Sequence, residues 1–261
     1  MNNNYTIAFY DSGIGGITLL SKAVKLLKGC NIIYFGDNLN APYGNKSKPE
    51  LIDIAVNNVT KLSNLGANVI CLACNTLSTQ VLNDLKLNNQ IKNLNVSLTG
   101  VFPPKPHYGK NSVLLCTQAT ANSEYVKTNF KNSTVLPLPF LAKEIERFYF
   151  NKDKINYVAD LKGITNSVTE IILGCTHYGF IKNEISKIIN TALITDGIST
   201  AILNVKRALI SKKHNDFNVT KVTCIHLFEN PPKIIKTDKN TIYFVGECAN
   251  YNKKVFLNYT Y

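Results

Sequence analysis

Two cysteines stand out by their surroundings. Residues Ile70 to Thr76 read ICLACNT, and Ile171 to His177 read IILGCTH. Each segment is an apolar run that ends in a small residue, a cysteine and two side chains able to hydrogen-bond. Cys74 and Cys175 lie 101 positions apart, one in each half of the chain. If the halves face each other, two thiols flank one cleft. Such a pair suits racemisation at a carbon centre: one group takes a proton from one face and the other returns a proton to the opposite face. One thiol must be ionised while the other holds its proton. A free thiol titrates near about 8.5, and a helix N-terminus or a nearby cation lowers that value. Both cysteines directly precede expected helices, so partial thiolate character near neutral pH is expected. Asp11 and His177 are candidate neighbours that tune or relay the protons. Backbone N–H groups around Ser12, Thr76 and Thr176 are candidates to hold a carboxylate.

Blander readings apply to other residues. A cysteine that closes an apolar strand is usually a small core residue. That reading is taken for Cys30, Cys71, Cys116, Cys224 and Cys248. Cys71 and Cys74 form a CxxC, but residues three apart on a strand point to opposite faces, which argues against a metal clip. Seven cysteines at irregular spacing make neither a disulfide framework nor a zinc pattern, and free thiols in a reducing compartment are expected. His107, His214 and His226 read as surface or satisfied residues. Asp11 has the alternative of capping the helix that follows it. Asp37 reads equally as structural or functional, and Tyr43 as packing or substrate contact.

The elements that must position these groups come next. YTIAFY (Tyr5 to Tyr10) reads as a buried strand, DSGIGG as a turn, and Ile17 to Leu27 as a helix. NIIYFG is a second strand. Ser47, Pro49 and Glu50 carry a capping-box signature, followed by apolar residues at helical spacing from Leu51 to Leu65. NVICLA and VSLTG are further strands, with a helix at Thr79 to Leu87 between them. The proline-rich VFPPKP after Gly100 reads as a crossing loop. The alternation then restarts: SVLLCT, STVLPL, EIILG and ALIT as strands, with helices at Asn122 to Phe130, Leu141 to Phe150, Ile181 to Ile189 and Ile198 to Ser211. KVTCIHLF, TIYFVG and KVFLNY in the tail look like strands. Strand–helix alternation implies parallel sheets with helices on both faces. The expected class is therefore α/β, with two similar domains and the site in the cleft between them. The domains are taken as 1–97 plus 206–261, and 98–205. In such sheets ligands bind at the carboxyl ends of strands, which is where the polar and reactive residues gather here.

At 261 residues the chain has room for a sizeable core. Its apolar fraction of 45% and charged fraction of 18% are ordinary for a globular protein. No apolar run approaches the roughly 20 residues of a membrane span. No secretory signal is visible at the N-terminus, so the cytoplasm is expected and no membrane partner. The net charge of +12 comes mainly from lysines spread along the whole chain. No nucleic-acid-binding motif accompanies it, so no nucleic-acid partner is expected. A positive field does favour an acidic small molecule.

Five segments resemble the glutamate racemase family of the aspartate/glutamate racemase superfamily: DSGIGG (Asp11 to Gly16), YFGDNLNAPYGNKS (Tyr34 to Ser47), ACNT (Ala73 to Thr76), LGCTHYGFIK (Leu173 to Lys182) and TDGIST (Thr195 to Thr200). Their order and spacing match over about residues 5 to 205. TQAT (Thr117 to Thr120) and GVFPP (Gly100 to Pro104) are similar to weaker family segments. The resemblance implies that Cys74 and Cys175 are the proton donor and acceptor. It implies that Asp11, Ser12, Tyr43, Gly44, Asn75, Thr76, Thr117, Thr120, Thr176 and His177 hold and orient the amino acid. It further implies two α/β domains with the C-terminal stretch returning to the first, no metal or organic cofactor, glutamate as substrate, a homodimer, and D-glutamate supplied for peptidoglycan. The family's functional glutamate is matched here by Glu146 in LPLPFLAKEIERF, with Glu144 as second choice. Residues 151–169 match the family poorly. Alternatives left open are a racemase for aspartate or another acidic amino acid, and a non-catalytic binding protein of the same fold.

Overall fold

In a computed structural model of the chain, the described residues are 5–27, 30–151, 161, 164, 167–189, 193–211, 221–226, 235–237 and 240–242. Each half is an open parallel sheet covered on both faces. The first sheet contains β1 (Thr6–Asp11), β2 (Asn31–Gly36), β3 (Val69–Leu72), β4 (Ser97–Gly100) and, much later in the chain, β9 (Lys221–His226), in the order β4-β3-β1-β2-β9. The second contains β5 (Ser112–Cys116), β6 (Thr134–Pro137), β7 (Glu170–Gly174) and β8 (Leu193–Asp196), in the order β6-β5-β7-β8. Every pairing in both sheets is parallel. A short antiparallel hairpin, β10 (Ile235–Thr237) with β11 (Asn240–Ile242), lies beyond β9.

The side-chain period of two explains why these strands are continuous apolar runs. Ile7 and Phe9 face one core while Ala8 and Tyr10 face the other. Both cores are apolar because helices cover both faces. On one side of the first sheet lie α1 (Ile17–Leu26) and α9 (Ile198–Ile210); on the other lie α2 (Lys48–Asn64), α3 (Asn75–Leu87) and α4 (Asn89–Lys92). The second sheet carries α5 (Gln118–Ala121) and α6 (Glu124–Asn129) on one side, with α7 (Leu141–Asn151) and α8 (Lys182–Ile188) on the other. Among the described residues no helix is long and apolar enough to cross a membrane.

Several boundaries differ from the sequence reading, each for a local reason. α2 begins as expected: Ser47 and Glu50 form both halves of a capping box, with Pro49 in the first turn. α3 begins at Asn75, four residues before the expected Thr79, because Cys74 itself is its extended N-cap. The helix expected at 122–130 is α6, and a short α5 that was not expected precedes it; Thr117 and Ser123 cap the two starts by accepting from Thr120 N and Val126 N, both at 3.2 Å. The expected domain borders also move. β4 pairs with β3 up to Gly100, so the first half runs to that residue rather than to 97, and the proline-rich segment read as the crossing loop follows it. α9 packs its stripe of Ala201, Ile202, Val205 and Leu209 into the first sheet's core, so that helix belongs to the first half from its start. The tail strand expected at KVTCIHLF is β9, beside β2. KVFLNY, Cys248 and His214 lie outside the described residues.

The strand orders reverse direction at one place in each sheet. β1 leads to β2 on one side while β3 leads to β4 on the other, so a crevice opens between the carboxyl ends of β1 and β3. The second sheet has the same switch between β5 and β7. Crevices of this kind are where open α/β sheets bind ligands. Ser12 and Cys74 end the first pair of strands, and Thr117 and Cys175 end the second.

Candidate active site

The two crevices share one cavity of about 150 Å³. Its wall includes both cysteines, together with Ser12, Tyr43, Gly44, Asn75, Thr76, Thr117, Glu146 and His177. A space of this size takes a molecule of roughly benzene dimensions or a little more, which fits a small amino acid. Both thiols are almost buried, at 6% and 7% exposure, and what remains accessible opens into this space. Cys71, by contrast, points into the opposite core, as its strand parity requires.

Asp11, Thr120 and Thr176 stand one layer behind the wall. Asp11 accepts hydrogen bonds from Ser12 N at 2.7 Å and from Thr176 Oγ1 at 3.1 Å, which ties the first half to the second. It does not cap α1, whose N-cap is Gly16 without a side-chain bond. The hydroxyls of Thr76, Thr117 and Thr120 form a closed triangle at 2.9, 3.0 and 3.3 Å. Thr76 comes from the first half and the other two from the second. Gln80 also donates across the seam, to the carbonyl of Ala119.

Glu146 is the acidic residue that the structure brings to the site, and Glu144 is not in the wall. Its Oε1 lies 2.7 Å from His177 Nε2 and accepts from Ile14 N at 2.9 Å. Its Oε2 accepts from Asn38 Nδ2 at 2.6 Å. A carboxylate on α7 is thereby threaded into the DSGIGG turn of the other half. That approach explains two glycines of the turn. A Cβ at Gly13 would sit 1.7 Å from Glu146 Oε1, and one at Gly15 would sit 2.4 Å from His177 Nδ1. Neither spacing leaves room for a side chain while Glu146 and His177 keep these positions.

The two thiols have unequal surroundings. Cys74 lies 4.0 Å from Ser12 Oγ. Burial pushes its thiol well up, and the charge of Asp11 adds to this; the Leu77 and Thr76 N–H groups at the start of α3 oppose it. The expected thiolate character near neutral pH is therefore corrected for Cys74, since desolvation outweighs the helix terminus. Cys175 Sγ lies 3.8 Å from His177 Nδ1. Burial alone would lower the His177 imidazole, but its hydrogen bonds to Cys175 and Glu146, and the charges there, raise it well above its ordinary value. Asp11 is also raised, by burial, against the pull of His177, Ser12 N–H and the Thr176 hydroxyl.

Tyr43 is fixed from behind. Its hydroxyl donates to Asp37 Oδ2 at 2.5 Å and lies 2.6 Å from Tyr10 Oη. Asn58 donates to both Tyr10 Oη and Asp37 Oδ2, and Asn40 donates to Asp37 as well. Asp37 is thus fully engaged away from the cavity, and the Tyr43–Gly44 turn is held against Thr117. The reading of the sequence missed Asn58. The signal was present: Asn58 falls on the apolar face of α2 marked by Leu51, Ala55 and Leu62, and a polar residue there needs a buried partner. It also missed Ala41, Pro42, Pro139, Ala142 and Lys143, which complete the wall. Ala142, Lys143 and Glu146 share one face of α7 by their spacing. Among the described residues no group of three or more His, Cys, Asp or Glu is arranged to hold a metal ion.

The chain is 34% identical over 253 residues to the glutamate racemase of Clostridium kluyveri, an alignment that covers 88% of this chain and 94% of that one. No family model matches it. Among solved structures it resembles the glutamate racemase of Escherichia coli in complex with L-glutamate and the activator UDP-MurNAc-ala, with a TM-score of 0.72, 21% identity, and 87% and 91% of the two chains covered. It also resembles the Francisella tularensis glutamate racemase in complex with D-glutamate, with a TM-score of 0.66, 24% identity, and coverage of 87% and 89%. Those two likenesses establish a shared fold. Together with the sequence relative, they place the chain among the amino-acid racemases, a class of isomerases. Given the extent of the match to the Clostridium kluyveri protein, the chain belongs to the glutamate racemase family.

Proposed function

We propose that this protein interconverts L- and D-glutamate by moving the α-proton between Cys74 and Cys175, without a cofactor. The observation that carries the reading is that both thiols, from the switch points of two different sheets, border one small cavity. A substrate α-carbon held between them has one thiol on each face. The neutral donors Ser12, Asn75, Thr76 and Thr117, with the N–H groups that begin α3, suit the α-carboxylate.

The unequal environments assign starting roles. Burial and Asp11 keep Cys74 protonated, as the acid. With Cys74 as the acid, the base at the start of this direction is Cys175, whose sulfur lies 3.8 Å from the His177 imidazole that Glu146 holds in place. After one turnover the two thiols have exchanged states, and the reverse reaction starts from there. The carbanion that develops between them is stabilised by fixed hydrogen-bond donors in a water-poor site. The D-glutamate formed serves peptidoglycan synthesis, and the enzyme works in the cytoplasm.

Circular dichroism of purified protein with L- or D-glutamate, and with either enantiomer of aspartate, tests the substrate. Exchange of the α-hydrogen with solvent deuterium, with no cofactor added, is expected alongside racemisation. Removal of a positioned acid or base typically lowers rates about 10²–10⁴-fold. Losses of that size are expected for Cys74→Ala and for Cys175→Ala. Full activity in either variant defeats the two-thiol mechanism, and turnover of aspartate alone defeats the assigned substrate.

A further inference from the structure

The cavity wall contains a cation that the chemistry above does not use. Lys143 lies one helical turn before Glu146 on α7 and borders the same space, but its side chain is exposed, so it stands toward solvent. The other ionisable groups of the wall are already engaged. Glu146 takes three donors on its two oxygens, and His177 is held between Glu146 and Cys175. Among the described residues Lys143 forms no ion pair. The remaining polar wall groups, Ser12, Asn75, Thr76 and Thr117, are neutral.

A ligand whose α-carbon lies between the sulfurs must direct its side chain elsewhere in this space. A second carboxylate there gains from a cation at the cavity mouth, because the His177 imidazole is already committed to Glu146 and Cys175. Lys143 is placed to supply that cation: residues three apart on a helix are neighbours, so it borders the cavity beside Glu146, and with no ion pair of its own among the described residues it is free to meet an incoming anion. We infer that Lys143 is a specificity-determining residue, which pairs with the side-chain carboxylate of the substrate at the cavity mouth and so selects an acidic amino acid over its neutral isostere. This rests on the racemase reading given above.

The test compares wild type with Lys143→Gln and Lys143→Arg. KM and kcat are measured for both glutamate enantiomers, α-deuterium exchange for L-glutamine, and L-glutamate binding by calorimetry. In Lys143→Gln the KM and the dissociation constant for glutamate are expected to rise about two- to fivefold, the upper range of an exposed ion pair, while kcat changes far less. The preference for glutamate over glutamine narrows by the same factor, and added salt weakens glutamate binding less than in wild type. Lys143→Arg is expected to restore most of the affinity. An unchanged KM and salt response in Lys143→Gln overturns the inference, as does an equal loss for glutamate and glutamine, which would indicate a structural role. If the wild type binds glutamate without racemising it, the function proposed above fails, and the binding comparison still decides the role of Lys143. If it does not bind glutamate, both fail.

Discussion

Gly13→Ala isolates the contribution of one hydrogen-bonded carboxylate. The new methyl group would lie 1.7 Å from Glu146 Oε1, 2.7 Å from its Cδ and 3.0 Å from Asn38 Nδ2. These atoms are the ends of side chains, so Glu146 can retreat by roughly 2 Å to ordinary contact distance without moving backbone. The fold is therefore expected to survive, with a thermal midpoint close to wild type. The bonds that hold Glu146 do not survive such a retreat. From 2.7 Å, the contact with His177 passes beyond hydrogen-bonding range, and the bond from Ile14 N at 2.9 Å is lost with it. A hydrogen bond to a charged group contributes about 1.5–3 kcal/mol. If that support is felt mainly in the transition state, kcat falls roughly 10- to 100-fold. The assay is racemisation followed by circular dichroism, for Gly13→Ala, Glu146→Gln and the double variant. Both single changes act through the same carboxylate, so the double variant is expected to be little worse than Glu146→Gln alone. A Gly13→Ala enzyme within twofold of wild type refutes the reasoning, as does a double variant whose losses multiply.

Two further outcomes follow from buried carboxylates away from the thiols. Glu170 is fully buried at the start of β7 and accepts from Ser112 Oγ at 2.6 Å and His107 N at 2.9 Å, with His107 Nδ1 at 2.7 Å. Burial would raise its carboxyl, but these bonds and the His107 charge lower it below the ordinary value. Its stabilising effect is therefore present above the unfolded carboxyl's pKa and lost as pH falls through the lower folded value. Glu170→Gln is expected to unfold earlier in urea at pH 7, by about 1–3 kcal/mol, with a gap that narrows in acid; a gap that is constant with pH contradicts this. Asp37→Asn leaves the Tyr43 hydroxyl and the Asn58 amide competing with a new amide, where before they met a carboxylate. It is expected to raise KM more than it lowers kcat, because the Tyr43–Gly44 turn loses its anchor. Unchanged kinetics would show that the turn is held without Asp37.

The architecture was legible in the sequence because its signals are local and repeated. Apolar runs such as VICLA and EIILG, closed by polar turns, gave the strands, and Ser47 with Glu50 gave the start of α2 to the residue. The pairing of Cys74 with Cys175 was legible for the same reason: two similar strand ends imply two similar crevices. What failed was information carried by tertiary contact. Cys74 was expected to be partly ionised from its helix terminus alone; the burial that reverses this depends on how the halves meet. The border at 97 fell three residues short of the crossing loop because VSLTG reads as a strand in either sheet. The start of Ile198–Ile210 was assigned to the wrong half because its apolar stripe would fit either core. Lys143 escaped notice because a lysine on a helix is usually only a solvated surface residue, and its place in the wall depends on the packing of α7 against the seam.

The dissimilar neighbours of the two sulfurs have a consequence for the kinetics of the proposed reaction. Mirror-image substrates have equal free energy in solution, so thermodynamics fixes the quotient of the forward and reverse specificity constants at unity. A carboxylate beside one thiol and an imidazole–carboxylate pair beside the other cannot shift that quotient. The asymmetry can emerge only as compensation: the enantiomer that turns over faster at saturation must bind correspondingly more weakly. The lopsidedness of the site thus sets which enantiomer is held longer, and it leaves the final mixture racemic.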